Sequence, residues 1–154
     1  MSKNIILITG ASSAIGQEVI KKFQNNKNIL LATYNKNNFK IKKDSKKKII
    51  KFKLDLSNEK KVVEFVKNLS RKNLIPNKII HIASSSLKMS SFTDLNWADY
   101  EKNFNIQIKS FFIILKYVLP IMKKNNYGKI LAILSSVTIS QPPGFMSPYI
   151  TSKY

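Results

Sequence analysis

Residues 4 to 24 read NIILITGASSAIGQEVIKKFQ, an apolar run followed by a turn of small residues and then an amphipathic segment. The run Asn4 to Thr9 predicts a buried strand, and the periodicity from Ile15 to Gln24 predicts a helix. Gly10 lets the chain turn tightly off the strand, and Gly16 lets the helix and strand backbones approach closely. This order predicts a phosphate site at the helix N-terminus, where unpaired N–H groups and the helix dipole favour negative charge.

Four further apolar runs rich in β-branched residues follow, at spacings that leave room for crossover helices between most of them. They are Ile29 to Thr33, Ile49 to Leu54, Lys78 to Ala83 and Lys129 to Ser135. Continuous apolar character, rather than strict alternation, is typical of strands that are covered on both faces. The sequence therefore predicts an α/β fold, a doubly wound parallel sheet with about five strands.

Two further helices are predicted between these strands. One runs from Asn58 to Leu69, with Ser57 as its N-cap. The other runs from about Asp99 to Lys124 and carries Pro120, which should kink the helix or end its regular part. The segment Lys36 to Lys48 stands where another crossover helix would be expected, but its charge and asparagines make a helix there marginal.

The composition restricts the classes of protein to which the chain can belong. Its 154 residues contain no cysteine and one histidine, which excludes disulfides and leaves no ligand cluster for zinc or iron. A hydrophobic content of 44% is enough for a core, and we expect one domain spanning residues 1–154. The apolar runs are too short for a signal peptide or a membrane span, so we expect a cytoplasmic protein.

The net charge of +19 raises the question of a nucleic-acid partner. The densest cluster, Lys36 to Lys53, holds nine lysines, but its only aromatic residues are Phe39 and Phe52, which make a poor platform for stacked bases. Arg71 is the sole arginine, whereas proteins that read nucleic acids usually exploit the bidentate guanidinium. The charge therefore favours a solvated surface over a nucleic-acid site.

A hydroxyl, a phenol and an ammonium are spaced near the end of the chain as carbonyl chemistry would need them. Tyr149 and Lys153 are four residues apart, so a helix started by Ser147 and Pro148 would place both on one face. An ammonium roughly 5 Å from a phenolate would stabilise it by about 3 kcal/mol at an effective dielectric near 20. Tyr149 could then exchange a proton with an alcohol or alkoxide, and Ser136, after the fifth strand, could hold the carbonyl oxygen.

The turn TGASSAIG at Thr9 to Gly16, followed in order by Ser136, Tyr149 and Lys153, resembles the short-chain dehydrogenase/reductase family. The family's pattern is T-G-x-x-x-G-x-G, and this chain departs from it with Ala14 at the middle glycine. The resemblance implies a Rossmann-like fold and hydride transfer between a nicotinamide dinucleotide and a carbonyl or secondary alcohol. It also implies that C-terminal strands are missing and that the chain stops at the start of the catalytic helix.

The same resemblance assigns roles to individual residues. Ser136 would orient the substrate, Tyr149 would be the acid and base, and Lys153 would favour the phenolate and contact the nicotinamide ribose. Gln107 stands where the family usually has an asparagine that helps to bind a proton-relay water. Residues 81–84 replace the family's N-N-A-G and keep only its alanine, so we expect His81 to be a strand histidine rather than a catalytic base.

The end of the second strand bears on the choice of cofactor. It reads Ala-Thr-Tyr-Asn-Lys at residues 32–36 and lacks the acid that accepts from the ribose 2′-hydroxyl in NAD-preferring enzymes. We therefore expect NADP, with NAD as the alternative. Asp55 and Leu56 match the family's pair beside the adenine, although Asp55 could equally begin a helix cap. The predicted cofactor-binding residues are Gly10, Ser12, Ser13, Ile15, Gly16, Asn35, Lys36, Asp55, Leu56, Ala83, Ser84, Tyr149 and Lys153.

Three functions stay open on the sequence alone. The first is an NAD(P)-dependent oxidoreductase acting on a small carbonyl or alcohol, with a homo-oligomeric full-length form and no membrane partner. The second is a non-catalytic dinucleotide-binding module or decayed fragment, favoured by Ala14, Gln107 and the stop after Tyr154. The third is a basic nucleic-acid binder, whose affinity would fall steeply with salt. Because helices below about 12 residues are marginal, we expect Tyr149 and Lys153 to be poorly positioned in this chain.

Overall fold

Five strands form one parallel sheet in the order β3-β2-β1-β4-β5. The computed structural model describes residues 4–25, 27–40 and 48–154. The strands are β1 Asn4–Thr9, β2 Asn28–Tyr34, β3 Lys48–Lys53, β4 Lys78–His81 and β5 Lys129–Ala132. The predicted doubly wound parallel sheet of five strands is confirmed. Since β2 and β4 flank β1, the chain reverses its winding direction at β1, which is where open α/β sheets bind ligands.

Five α-helices connect or follow the strands in the described part of the chain. They are α1 Ala14–Phe23, α2 Glu59–Arg71, α3 Trp97–Phe104, α4 Ser110–Lys124 and α5 Ser147–Thr151. A π-helical turn, Asn105–Lys109, joins α3 to α4, and a short 3-10 turn, Ser136–Thr138, follows β5. Helix α1 crosses from β1 to β2, α2 crosses from β3 to β4, and the α3–α4 unit crosses from β4 to β5.

Each face of the sheet has its own apolar core. On one face, Leu7 and Leu31 pack with Val66 of α2 and with Ile114 and Val118 of α4. On the other face, the neighbouring strand residues pack against α1, among them Ile6, Ile8, Leu30 and Ile80 around Ile20. Successive strand residues point to opposite faces, so a strand buried on both sides needs an unbroken apolar run. This is the physical reason for the IILI sequence of β1.

The ends of several elements differ from the sequence predictions. The last strand ends at Ala132 rather than Ser135, because the chain leaves the sheet for the 3-10 turn that Ser135 caps by accepting from the Val137 N–H. Strand β4 likewise ends at His81 rather than Ala83. The N-cap of α2 is Asn58, whose side chain accepts from the Lys61 N–H at 3.1 Å, so the assignment of that cap to Ser57 was wrong.

The long helix after β4 begins earlier than predicted and is interrupted at a different place. Asn96 and Asp99 form a capping box, with reciprocal hydrogen bonds of 3.2 and 3.3 Å, and this starts the helix at Trp97. Pro120 lies inside α4 and does not end it, since the helix continues to Lys124. The irregular part is instead the π-turn Asn105–Lys109.

The continuous helix formed by α3, the π-turn and α4, Trp97–Lys124, is long and apolar enough to cross a membrane by length and composition. An apolar segment of this length was not predicted from the sequence. Length and composition alone are weak evidence, because core helices of soluble proteins pass the same test. Ile114 and Val118 of this unit are buried against the sheet and α2.

The connection between β2 and β3 was predicted to lack a regular crossover helix. Residues 35–40 form neither helix nor strand, in agreement with that prediction. Phe39 is nonetheless buried, and the Lys51 ammonium lies 5.2 Å from its ring centroid and donates to its carbonyl at 3.0 Å. Residues 41–47 of the predicted loop lie outside the described residues.

Candidate active site

The turn between β1 and α1 is held in place by its own serine. The Ser13 hydroxyl donates to the Gly10 carbonyl at 2.8 Å and accepts from the Gly16 N–H at 3.0 Å. Ser13 is therefore the N-cap of α1, and Ala14 is the first residue of that helix. Ser13 thus satisfies the Gly16 N–H, and the N–H groups of Ala14 and Ile15 are the ones at the start of α1 that are left for an anion.

Two glycines of this turn occupy positions that no larger residue fits. Gly10 has a φ of +69°, and a Cβ atom there would lie 2.8 Å from the Ala83 backbone. A Cβ atom on Gly16 would lie 2.5 Å from the Gly10 carbonyl oxygen and 2.8 Å from the Ala11 Cα. The sequence predicted that α1 approaches the turn closely, and in the structure the atoms nearest to both glycines are backbone atoms.

A cleft of about 400 Å³ opens beside this turn, at the carboxyl ends of β1, β2 and β4. Eight of the predicted cofactor-binding residues line it, namely Gly10, Ser12, Ser13, Asn35, Asp55, Leu56, Ala83 and Ser84. Ile15, Gly16, Lys36, Tyr149 and Lys153 do not line it. Ile15 lies on the outer surface of α1 with 54% of its area exposed, and Lys36 is exposed between Asn35 and Asn37.

The sequence reasoning missed several residues of this cleft. They are Thr33, Tyr34, Asn37, Leu54, Ile82, Ser85, Ser86 and Ile106. Most follow directly from the predicted strand ends, since every residue at the carboxyl end of β2 or β4 faces the same edge of the sheet. Ile106 carries no such signal, because it reaches the cleft from the π-turn of a helix that is distant in sequence.

Asp55 has two possible roles, and the structure shows the partners of its carboxylate. Its Oδ1 accepts from the Ser57 N–H at 3.0 Å and from the Ser57 hydroxyl at 2.7 Å. These bonds stabilise the turn that leads into α2, as the capping interpretation expected. Asp55 also lines the cleft, so the turn places the carboxylate beside the candidate dinucleotide site.

Tyr149 lines a second hollow of about 320 Å³ next to the first cleft. Ser85 and Ser86 line both, so the two spaces adjoin at the segment that follows β4. Asn103 of α3 also lines the second hollow, and it bonds the Ser85 hydroxyl. Tyr149 and the Gly10 turn therefore lie in adjoining spaces, and Ser85 and Ser86 lie where the two spaces meet.

The turn that carries Tyr149 begins differently from the sequence prediction. Helix α5 has Met146 in the N-cap position, and Pro148 lies in the first turn as expected. Ser147 does not cap the helix. Its hydroxyl instead bonds the Tyr100 hydroxyl at 2.6 Å, which ties α5 to α3.

Lys153 lies just beyond α5, with only 8% of its area exposed. Its ammonium donates to the Ile133 carbonyl at 3.0 Å and lies 5.8 Å from the centroid of the Tyr149 ring. Burial lowers the pKa of Lys153. The charge thus lies beside the Tyr149 ring, but its hydrogen bond goes to the end of β5 and not to the phenol.

Ser136 lies apart from this pair in the structure. It begins the exposed 3-10 turn Ser136–Thr138 and lines neither the cleft nor the Tyr149 hollow. Among the described residues, no hydrogen bond joins its hydroxyl to that of Tyr149. The structure therefore brings Tyr149 and Lys153 together and leaves Ser136 outside their contacts.

Gln107 is buried in the π-turn, with 6% of its area exposed. Its side-chain N–H₂ donates to the Ser152 hydroxyl at 2.6 Å and to Asn103 at 3.3 Å, while its Oε1 has no hydrogen-bond partner among the described residues. Ser152 donates in turn to the Tyr149 carbonyl at 2.8 Å. The amide therefore contacts the turn that carries the tyrosine.

His81 is a buried strand histidine, and no hydrogen bond links it to Tyr149. Its Nδ1 lies 2.9 Å from the Thr9 hydroxyl, and its ring stacks on Phe111 with centroids 4.6 Å apart. Burial lowers the pKa of His81 to about 4, the Gln107 backbone carbonyl raises it, and the Lys153 charge lowers it. The ring is therefore neutral near pH 7.

Acidification is expected to destabilise the fold through His81. Between pH 6.5 and about 4 the unfolded chain binds a proton on this ring that the folded chain does not, so stability falls by about 3 kcal/mol across that window. Urea denaturation at several pH values measures this loss, with His81→Asn as the comparison because asparagine does not titrate. Equal pH slopes for the two proteins would contradict the prediction.

The short-chain dehydrogenase family pattern matches residues 4–154. A search of curated proteins found no match. Among solved structures, a short-chain dehydrogenase from Leptospira borgpetersenii serovar Hardjo-bovis with bound NAD⁺ is 20% identical, with a TM-score of 0.85 over 99% of this chain and 61% of that one.

Two further solved structures are similar at 25% identity. A 4-hydroxyisoleucine dehydrogenase complexed with NADH has a TM-score of 0.87, over 98% of this chain and 62% of that one. A Tyr-to-Phe variant of ElxO with NADPH bound has a TM-score of 0.81, over 99% and 63%. The chain thus spans about three fifths of the length of these structures. Because the family pattern covers all but the first three residues, the chain belongs to the short-chain dehydrogenase family.

Proposed function

We propose that this chain is the dinucleotide-binding part of an oxidoreductase that transfers hydride between NADP(H) and a small carbonyl or secondary alcohol. The observation that carries the proposal is the junction of two spaces, the cleft beside the Gly10 turn and the hollow lined by Tyr149, which share Ser85 and Ser86. A redox enzyme of this kind needs a dinucleotide and a proton donor on either side of one carbonyl carbon. We further propose that residues 1–154 form one domain.

The residues present fit a dinucleotide at the cleft. Gly10 and Gly16 let the turn pack closely against the backbone of Ala83 and Ala11, and the N–H groups at the start of α1 that Ser13 does not occupy suit a pyrophosphate. Asp55 and Leu56 would lie beside the adenine. The similar structures that hold NAD⁺, NADH and NADPH support this class of ligand.

The choice of NADP rests on the end of β2. Asn35 lines the cleft, Lys36 follows it on the surface, and no acid is present there to repel a 2′-phosphate. An exposed lysine contributes little to any one ion pair, so the preference conferred by Lys36 is modest. NAD is the alternative cofactor.

Tyr149 is the group we propose to exchange a proton with the substrate oxygen, since it is the phenol in the hollow. Lys153, whose ammonium lies 5.8 Å from the centroid of the Tyr149 ring, would contact the nicotinamide ribose, and Ser136 would orient the carbonyl once its turn approaches the hollow. Gln107 positions the Tyr149 turn through Ser152. The bound nicotinamide, when present, supplies or accepts the hydride. We place this activity in the cytoplasm and expect the full-length form to be a homo-oligomer.

A non-catalytic dinucleotide-binding module is the second candidate. It is favoured by the Lys153 hydrogen bond to Ile133 and by the exposed position of Ser136, which leave the three proposed catalytic groups without direct bonds to one another. This candidate predicts dinucleotide binding without turnover. The two candidates therefore share the binding site and differ in the role of Tyr149.

Titration of the chain with NADP⁺ and NAD⁺ by calorimetry tests the binding site. We expect both to bind, NADP⁺ more tightly, and we expect Lys36→Gln to weaken NADP⁺ binding by about fivefold while NAD⁺ binding is unchanged. Lys67→Gln on α2 is the matched control, because it removes the same charge from an exposed site away from the cleft. Failure to bind either dinucleotide would overturn the proposal. If Lys36→Gln and Lys67→Gln lower the NADP⁺ affinity equally, the effect comes from the overall charge of the protein and not from a contact of Lys36.

A further inference from the structure

The loop that follows β2, residues 35–40, contributes two amide side chains to the proposed dinucleotide cleft. Asn35 and Asn37 both line that cleft, as does Tyr34 at the end of β2. Residues 35–40 form neither helix nor strand, so the regular hydrogen bonds of secondary structure do not hold them. Other contacts must therefore determine where the two amides lie.

Lys51 of β3 supplies such contacts near the far end of the loop. Its ammonium donates to the Asn38 Oδ1 at 2.8 Å and to the Phe39 carbonyl at 3.0 Å. The Asn38 Oδ1 also accepts from the Phe39 N–H at 2.9 Å, so these two loop residues are bonded to each other as well. Hydrogen bonds from a charged donor are about twice as strong as neutral ones. One side chain of the sheet thus holds two successive residues of the loop.

Two aromatic rings surround the same ammonium. It lies 5.2 Å from the centroid of the Phe39 ring and 6.0 Å from that of the Tyr34 ring, distances at which a cation is attracted to the face of a ring. The two rings meet edge to face with their centroids 6.1 Å apart. Phe39 is buried in the apolar core on the α1 side of the sheet, and Tyr34 packs against that core. Lys51 and the two rings therefore join the start of the loop to its far end.

Asn35 and Asn37 lie between two attached points. At the first point, the Tyr34 carbonyl accepts from the Leu54 N–H at 2.7 Å, which ties the end of β2 to β3. The second point is Phe39, and four residues separate it from Tyr34. A short loop with both ends fixed has few conformations to choose from. Lys51 does not line the cleft, so any effect it has on a ligand acts through the loop.

We propose that Lys51 is a positioning residue that closes the loop 35–40 and holds the Asn35 and Asn37 amides at the cleft, where they bond the adenosine ribose or its 2′-phosphate. An amide side chain offers both donors and an acceptor to such groups. Because the loop is ordered before the ligand arrives, binding does not carry the entropic cost of ordering it. The effect on affinity rests on the proposed function, whereas the closure of the loop does not.

Backbone ¹⁵N relaxation of the chain without ligand tests the closure. We expect Lys51→Met to lower the order parameters of residues 37–40 from roughly 0.85 to below about 0.6, because methionine lacks the charge and both hydrogen bonds. Lys51→Arg should keep them high, since a guanidinium donates to two oxygens and stacks on a ring. Lys48→Met is the matched control, because Lys48 is exposed at the start of β3, the end of the strand away from the cleft. Unchanged order parameters in Lys51→Met would overturn the proposal.

Calorimetry with NADP⁺ and with 2′,5′-ADP, its adenosine half, tests the positioning role. We expect Lys51→Met to weaken both ligands by the same factor, about 5- to 20-fold, while Lys51→Arg and Lys48→Met stay within about threefold of wild type. Equal losses in Lys51→Met and Lys48→Met would overturn the positioning role, because overall charge would then explain them. A loss with NADP⁺ and not with 2′,5′-ADP would also overturn it, because the effect would then lie away from the loop.

The two measurements separate this proposal from the proposed function. A wild-type chain that binds neither ligand contradicts the proposed function, while the order parameters still decide whether Lys51 closes the loop. A wild-type chain that binds both ligands, with a Lys51→Met chain whose loop is mobile but whose affinity is unchanged, contradicts the positioning role of Lys51 alone.

Discussion

Replacing Gly10 with alanine is expected to abolish dinucleotide binding and to lower the free energy of unfolding by about 2 to 5 kcal/mol. Two effects add at this position. The φ of +69° is strained for any residue with a side chain, and the new Cβ atom would lie 2.8 Å from the backbone N and Cα of Ala83. That neighbour is backbone two residues beyond the end of β4, and its N–H is bonded to the Thr9 hydroxyl of β1, so it cannot move freely.

The loss of binding has the same cause as the loss of stability. To relieve the contact, the turn must move away from Ala83 into the cleft that both residues line. Urea denaturation measures the stability, and quenching or enhancement of NADPH fluorescence measures the binding. Gly144→Ala is the matched control, because a Cβ atom there has no neighbour within 4 Å. A Gly10→Ala protein that binds NADPH like the Gly144→Ala protein would refute the placement of the phosphate site.

The β1–α1 segment could be predicted from the sequence because its causes are local. A run of apolar residues and a glycine that turns the chain off the strand act within a few residues of each other, and the structure places both as expected. Only the serine's role was incompletely foreseen. Ser13 was predicted to bind the cofactor, but its hydroxyl is already bonded to Gly10 and Gly16, where it caps α1.

The parts of the site that were not predicted depend on contacts between distant residues. Nothing near Ser147 in the sequence indicates that its hydroxyl bonds Tyr100, 47 positions away. The bonds of Lys153 to Ile133 and of Gln107 to Ser152 likewise join elements that meet only after the sheet has formed. Local sequence patterns cannot predict such pairs, because the two bonded residues are far apart in the sequence.

The structure shows what surrounds each of the three residues that depart from the family pattern. Ala14 is the first residue of α1 and is exposed beside Ile15 on the outer surface of that helix, and it does not line the cleft. Gln107, one methylene longer than asparagine, spans the distance to Ser152. His81 fills the space between Thr9 and Phe111. Each of these three residues is therefore accommodated by the packing around it.

Replacing Tyr149 with phenylalanine is expected to lower kcat by about 10² to 10⁴ while leaving NADPH affinity unchanged, because general acid catalysis accounts for a factor of that size. The change removes one hydroxyl, and that hydroxyl makes no hydrogen bond to another described residue, so the fold should be retained. Loss of nicotinamide absorbance with a panel of small ketones measures the rate. Binding of NADPH is measured separately by fluorescence.

The matched control for that experiment is Tyr154→Phe, which removes the same hydroxyl from an exposed residue five positions later, bonded only to the Val137 carbonyl at 3.3 Å. If the oxidoreductase proposal is correct, the two variants bind NADPH equally and differ at least a hundredfold in turnover. Equal, measurable turnover in both would remove Tyr149 from the chemistry and place the proton transfer elsewhere. If NADPH binds to wild type and to both variants with no turnover in any of them, the non-catalytic module is the correct reading, because the Gly10 turn would then serve binding alone.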